Sequence, residues 1–150
     1  YDRAYLNAHD RSGNIFLSVA DRAKDHMVGL ARRLESLGYE LLATRGTAQR
    51  LEEAGIKVQR LKKIQEGHPN VLDYMFNGEL KLVMNTPSGK GARTDEGQIR
   101  AAAIANGVSC LTTIQAADAA VIAMEALREE EMEVEAIQDR FPNYGAPQEP

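Results

Sequence analysis

Short apolar runs alternate with amphipathic segments along most of this chain. Residues 14–19 form a β-rich run with few polar groups, as is typical of a strand covered on both faces of a parallel sheet. In the next segment apolar residues recur at three- and four-residue spacing, which predicts a helix that ends at Gly38. Its apolar positions are Met27, Leu30, Ala31, Leu34 and Leu37.

The same strand-and-helix cycle repeats towards the C-terminus. We predict strands within 39–44, 56–64, 80–85 and 108–112, and helices over 47–54, near 71–76, near 99–104 and over about 114–128. Pro69 suits the first turn of the third helix. Five strands that alternate with helices predict an α/β fold with an open parallel sheet. Because ligands bind such sheets at the carboxyl ends of the strands, the function should lie in the loops that lead from strand to helix.

The two ends of the chain lack this periodicity. Residues 1–13 end in a Ser-Gly breaker and are interpreted as a linker from an upstream domain, which leaves 14–128 as the folded domain. Residues 129–150 begin with an acidic run and end in a segment with Pro and Gly, so we expect a C-terminal tail outside the sheet.

Composition narrows the classes of partner. The net charge is −4 and no block of Lys and Arg is present, which argues against a nucleic-acid partner. No apolar run approaches the roughly 20 residues of a membrane helix, and no signal-peptide pattern opens the chain, so we expect a cytoplasmic protein without a membrane partner. The single cysteine, Cys110, excludes an internal disulfide and is expected to be a buried structural thiol.

The stretch 40–49 combines a buried strand with an anion-binding turn. Gly46 allows a ligand to approach the backbone, and Thr47 is predicted to cap the helix that follows. The first amide groups of that helix have no internal partner, and its dipole favours a negative charge, which suits a phosphate. The alternative, an ordinary capped junction between strand and helix, stays open on this stretch alone.

The other loops supply further donors. Ser18 and Lys24 flank the first loop, Lys62 and Lys63 follow the third strand, and 85–90 carry an amide, hydroxyls and an ammonium. Carboxylates are few, so these loops suit an oxyanion better than a hard metal ion. Two acids, Asp21 and Asp25, are interpreted as favourable charges in a first helical turn, His26 as structural, and His68 as a surface residue rather than a catalytic one.

Six short motifs occur in order along the chain and together identify a resemblance. They are Ser18-Val19 with Lys24, Ala-Thr-Arg-Gly-Thr-Ala at 43–48, Glu-Ala-Gly-Ile at 53–56, Glu-Gly-His-Pro-Asn at 66–70, Asn-Gly-Glu at 77–79 and Asn-Thr-Pro-Ser-Gly at 85–89. Over about 14–127 the chain resembles the methylglyoxal-synthase-like domain at the C-terminus of carbamoyl phosphate synthase large subunits. The resemblance implies a Rossmann-like, three-layer α/β/α fold with a five-stranded parallel sheet in the order 3-2-1-4-5.

The resemblance also implies a site for a nucleoside monophosphate effector such as uridine or inosine monophosphate. Its phosphate would be held by Lys24, Thr44 and Thr47, with help from Ser18 and the helix start at Gly46. The sugar and base would face Lys63 and Asn85, and Thr86 is assigned to the same site. A further Thr of the best-known bacterial members is replaced here by Pro87, and the Tyr-Asp-Thr of ornithine-sensing members is replaced by Cys-Leu-Thr at 110–112.

A regulatory domain of this kind carries no reaction itself. The resemblance implies partners in the synthetase domains of the same large subunit and in a small glutaminase subunit, and it leaves self-association open. It implies no cofactor and no metal in this domain, since ATP and Mg or Mn would serve the parent ligase elsewhere, in pyrimidine and arginine biosynthesis.

Relatives with the same phosphate site offer alternatives. A methylglyoxal synthase that acts on dihydroxyacetone phosphate would need a catalytic Asp and a His-Asp pair after the fourth strand, where residues 88–95 contain no His. An inosine-monophosphate cyclohydrolase domain would differ in its third-helix region and normally be longer. A phosphate-binding module without allosteric output is the remaining alternative.

Overall fold

The computed structural model describes residues 13–86 and 93–140, and the side chains of 93–96, 139 and 140 lie outside that description. The described chain forms one sheet of five parallel strands in the order β3-β2-β1-β4-β5. The strands are β1 (Asn14–Ser18), β2 (Glu40–Thr44), β3 (Gln59–Leu61), β4 (Leu80–Asn85) and β5 (Ser109–Leu111). The predicted architecture and strand order are confirmed.

Five helices cover the two faces of the sheet. They are α1 (Lys24–Ser36), α2 (Arg45–Glu53), α3 (Val71–Phe76), α4 (Arg93–Ala105) and α5 (Ile114–Arg140). One hydrophobic cluster joins α1, α2 and α5 to the sheet, and a second cluster joins α3 and α4 to its other face. The molecule therefore has the three layers that the resemblance implied.

The central strand β1 packs against the helix layers on both faces of the sheet. Ile15 and Leu17 are fully buried in the cluster with α1, while Phe16 between them is fully buried in the cluster with α3 and α4. Successive side chains of a strand point to opposite faces, so an unbroken apolar run is what a doubly covered strand needs. The first strand prediction is confirmed on these three residues.

Two helix starts differ from the predictions. Thr47 does not cap α2, because that helix already begins at Arg45 and its N-cap residue is Thr44, whose side chain makes no capping bond. Pro69 does not occupy the first turn of α3, because the N-cap is Asn70. The Asn70 side chain accepts from Leu72 N at 2.9 Å, and Asp73 accepts from Asn70 N at 2.9 Å, a reciprocal capping box that fixes the helix start at Val71.

The last helix is longer than predicted. The chain stays helical from Ile114 to Arg140, well beyond the predicted end near residue 128, although residues 132–138 are exposed. Glu, Met, Ala and Arg are strong helix formers, so intrinsic propensity continues a helix where the amphipathic pattern has stopped. Residues 1–12 of the predicted linker and 141–150 of the predicted tail lie outside the described residues.

None of the helices within 13–86 and 93–140 combines the length and the apolarity that a membrane crossing requires.

The capping box of α3 gives a stability prediction. Asn70 is buried, and its side chain also donates to Gly67 O at 2.8 Å, so Asn70→Ala removes a cap and a loop contact together. We expect the free energy of unfolding to fall by about 1–2 kcal/mol in urea denaturation of the 150-residue chain. Asn77→Ala, at the exposed opposite end of the same helix, is the control and should change it by less than about 0.5 kcal/mol. Equal losses in the two variants would contradict the capping role.

Candidate anion-binding site

The candidate site lies where the carboxyl ends of β1, β2 and β4 meet. β1 ends at Ser18, β2 at Thr44 and β4 at Asn85, and Ser18 is the direct register partner of Asn85. β2 passes into α2 without an intervening loop, so the amino end of α2 starts at this edge of the sheet. The topology therefore brings three predicted site residues to one edge, as expected for an open parallel sheet.

Two threonines hold the loop that follows β1. Val19 N donates to Oγ1 of Thr47 at 3.3 Å, and Ala20 N donates to Oγ1 of Thr86 at 3.1 Å. Thr86 N in turn donates to Ser18 O at 3.0 Å, which ties the start of the β4–α4 connection to the end of β1. Each hydroxyl accepts a backbone proton and keeps its own proton to donate, so both remain able to bind an oxyanion.

Lys24 lies against the first turn of α2. A β-carbon added at Gly46 would stand 3.1 Å from Nζ of Lys24, so the missing side chain leaves the ammonium room beside this turn. Oδ1 of Asp21 lies 2.6 Å from the same Nζ. An ammonium and the amino end of a helix both carry positive charge or potential, and together they favour an anion.

Asn85 is the buried polar group of this edge. Its side chain is 2% exposed, and among the described residues neither Nδ2 nor Oδ1 has a hydrogen-bond partner. A buried polar group without a partner costs about 1–3 kcal/mol. Since such groups are rare in folded proteins, this amide marks a position where a ligand can supply the missing bonds.

The remaining predicted residues occupy different positions. Ser18 and Thr44 are half-buried at their strand ends, as a site at this edge requires. Lys63 is exposed two residues beyond β3, where its backbone N donates to Glu66 Oε1 at 2.9 Å. No contact between described residues joins the Lys63 side chain to Lys24 or Asn85, so its role in the site stays a prediction.

The two histidines in the described part of the chain have partners that the sequence did not reveal. Nδ1 of His68 lies 2.7 Å from Oδ2 of Asp73, and Nε2 of His26 lies 2.7 Å from Oδ1 of Asp118 across α1 and α5. The backbone N–H of Asn70, and then His68, hold the pKa of Asp73 below its ordinary value. Since this carboxylate caps α3, the His68 pair serves the loop structure, and the exposed His68 fits its interpretation as a surface residue.

The described part of the chain contains no cluster of metal-binding side chains. Within residues 13–86 and 93–140 no three His, Cys, Asp or Glu side chains are grouped to hold an ion. Cys110 is half-buried rather than buried, and desolvation raises the pKa of its thiol.

Sequence reasoning missed two features of the site. The hydrogen bonds that Thr47 and Thr86 accept from the β1–α1 loop join residues that are far apart in the chain, and no local sequence pattern predicts them. The pair of Asp21 and Lys24 did have a signal, because opposite charges three residues apart lie on the same side of a helical turn.

The comparisons with known proteins cover most of the chain. The family model for the MGS-like domain matches residues 26–112, a range that contains the candidate residues from Thr44 to Thr86 but not Ser18 or Lys24. The carbamoyl phosphate synthase large chain of Rhodopirellula baltica is 57% identical over 130 residues, which are 87% of this chain and 12% of that protein. The C-terminal section of the large chain from Aquifex aeolicus is 42% identical over 131 residues, which are 85% of this chain and 24% of that section.

Among solved structures, methylglyoxal synthase from Elizabethkingia anophelis NUHP1 superposes with a TM-score of 0.61 at 17% identity. The match covers 74% of this chain and 78% of that one, and at this identity it shows the fold. In the sequence comparisons, by contrast, the chain spans only 12% of the Rhodopirellula baltica large chain and 24% of the Aquifex aeolicus section.

The threonine contacts predict a specific loss of stability. Thr47 is 4% exposed, so Thr47→Val keeps the shape but leaves the Val19 N–H without its acceptor. We expect the free energy of unfolding to fall by about 1–3 kcal/mol in urea denaturation. Thr44→Val is the control, because the Thr44 side chain makes no capping bond, and it should stay within about 0.5 kcal/mol of the parent. An unfolding free energy that Thr47→Val leaves unchanged would show that the loop does not depend on the Thr47 hydroxyl.

Proposed function

The chain belongs to the family of MGS-like domains, and on that premise we propose that it binds a nucleoside monophosphate at the carboxyl ends of β1, β2 and β4. In this proposal the phosphate lies between Lys24 and the amino end of α2, where Thr44 and Thr47 donate hydroxyl protons to it. Ser18, Gly46 and Thr86 complete this end of the site.

The observation that carries the proposal is the position of the Lys24 ammonium beside Gly46. The ammonium adjoins a helix start whose first turn contains no acidic residue and whose N-cap side chain makes no capping bond. Two positive features side by side are stabilised by an anion, and a phosphate can also accept from the free amides of the helix start. This arrangement supports a phosphate group in particular, because several donors converge on it.

The unpartnered amide of Asn85 supports a ligand larger than phosphate. An amide presents two donors and an acceptor, which suits the mixed edge of a nucleobase or the hydroxyls of a ribose. We propose that Asn85, with Lys63, faces the sugar and base of the effector.

Regulation of a larger enzyme is the second part of the proposal. The relatives named above are carbamoyl phosphate synthase large chains, and this chain matches 12% of the first of them. We propose that the domain adjusts carbamoyl phosphate synthesis by synthetase domains of the same large chain, working with a small glutaminase subunit, for pyrimidine and arginine pathways in the cytoplasm. The ATP and metal ions of that reaction would bind outside this domain.

Lys24 gives the direct test of the phosphate site. Lys24→Gln should weaken binding of uridine or inosine monophosphate by about ten- to a hundredfold, because a hydrogen bond to a charged group contributes about 1.5–3 kcal/mol. Isothermal titration calorimetry of the 150-residue chain with uridine monophosphate, inosine monophosphate, ornithine and inorganic phosphate measures this. Lys57→Gln, an exposed lysine before β3, is the control and should bind as the parent does.

Unchanged affinity in Lys24→Gln would place the phosphate elsewhere. A parallel assay with dihydroxyacetone phosphate tests the lyase alternative, and we expect no methylglyoxal. Methylglyoxal formation that disappears in Lys24→Gln would replace the regulatory proposal with an enzymatic one.

A substitution of Asn85 distinguishes binding of the nucleoside from binding of the phosphate. Asn85→Leu keeps the number and branching of the side-chain heavy atoms and removes two unpartnered polar atoms, which offsets the cost of its larger volume, so the free energy of unfolding should change by less than about 1.5 kcal/mol. Uridine monophosphate should bind at least about fivefold more weakly, since at least one hydrogen bond worth about 1 kcal/mol is lost, while inorganic phosphate should bind as before. Equal loss for both ligands would show that Asn85 acts on the phosphate or on the fold, not on the nucleoside.

A further inference from the structure

We propose that Asp21 is an internal counter-ion of the anion site, which pairs with Lys24 in the free domain and is displaced when a phosphate binds. This inference rests on the proposed function, because it concerns how the same site is filled and emptied. It assigns to Asp21, which none of the motifs of the resemblance includes, control over the affinity and charge selectivity of the site.

The geometry distinguishes the two members of the pair. Oδ1 of Asp21 lies 2.6 Å from Nζ of Lys24, and the Asp21 side chain is 96% exposed whereas that of Lys24 is 21% exposed. The ammonium is therefore enclosed beside Gly46, while the carboxylate reaches it from the solvent side. A carboxylate in solvent can rotate away without exposing any buried surface.

The electrostatics explain why a counter-ion is present. The first turn of α2 contains no acidic residue, so α2 itself does not offset the positive end of its dipole or the ammonium beside it. Asp21 supplies a negative charge at this place, and the hydrogen bond from Lys24 lowers the pKa of its carboxyl below the ordinary value. Asp21 thus performs, with one charge, the role that a bound anion would perform.

Competition for one ammonium follows from this arrangement. A phosphomonoester carries a charge of about −1.5 to −2 at pH 7, against −1 for the carboxylate. An exposed ion pair contributes only about 0–1 kcal/mol, so a phosphate that also reaches the α2 amides can displace Asp21. A singly charged anion has no advantage in charge over the Asp21 carboxylate, so it displaces Asp21 from Lys24 less readily. The pair of Asp21 and Lys24 therefore makes the site selective for doubly charged ligands.

The chain contains a matched control for this charge. Asp25 is four residues further on and 85% exposed, and its Oδ1 pairs at 2.6 Å with the Arg50 guanidinium instead of Lys24. Asp25→Asn and Asp21→Asn each remove one negative charge and one ion pair from an exposed position, but only Asp21→Asn releases the Lys24 ammonium.

The affinity experiment compares the parent chain with Asp21→Asn and Asp25→Asn. In calorimetric titration with inorganic phosphate at low ionic strength, Asp21→Asn should bind about three- to tenfold more tightly, and the gain should shrink as salt is added. Asp25→Asn should stay within about twofold of the parent, because it leaves the pair of Asp21 and Lys24 intact and releases Arg50 instead of Lys24. Equal gains in both variants, or no gain in Asp21→Asn, would overturn the inference.

A second measurement follows the Asp21 carboxyl itself by NMR titration. Its pKa should rise in Lys24→Gln and also when the parent chain is saturated with phosphate, because either change removes the ammonium from the carboxylate. A pKa that Lys24→Gln leaves unchanged would overturn the inference even before any ligand is added.

The two proposals fail in different ways. If the parent chain binds phosphate through Lys24 but Asp21→Asn changes nothing, the proposed function stands and the counter-ion does not. If the parent chain binds neither phosphate nor nucleoside monophosphates, both proposals fail together.

Discussion

The direct passage of β2 into α2 is the constraint on which the candidate site depends. Because no loop separates Thr44 from Arg45, the amino end of α2 begins at the carboxyl edge of the sheet, beside the last residues of β1 and β4. The central position of β1, buried on both faces, fixes where that edge lies. The burial of β1 thus determines where the polar site lies, although β1 contributes few residues to that site.

Hydrogen bonds between distant residues then set the shape of this edge. The hydroxyls of Thr47 and Thr86 accept from consecutive amides of the loop after β1, so α2 and β4 both hold the segment that leads to Lys24. The backbone donors of this loop are therefore satisfied within the fold. In the proposed site the same two hydroxyls would also donate to an anion, so the same groups would support the loop and bind the ligand.

The edge also retains polar groups that the fold does not satisfy. Asn85 is buried without hydrogen-bond partners in the described part of the chain, and Lys24 adjoins a helix start of the same electrical sign. The unpartnered amide costs stability in the free domain, whereas the positive charge of Lys24 is offset there by Asp21. In the proposed complex, a ligand with an anionic group and polar edges would replace Asp21 at Lys24 and supply the missing hydrogen bonds of Asn85.

Local sequence patterns are enough to predict the strands, their alternation with helices and the edge of the sheet where the candidate residues lie. Unbroken apolar runs such as 15–17 identify doubly covered strands, and the motif 43–48 identifies the strand–helix junction, because both signals are local. The resemblance supplied the strand order and the candidate residues. Other features depend on how the elements pack: Thr47 supports the loop instead of capping α2, Asn85 is buried without a partner among the described residues, and His26 contacts Asp118. These contacts join residues far apart in the chain, and their formation depends on how helices and strands pack, which no local pattern encodes.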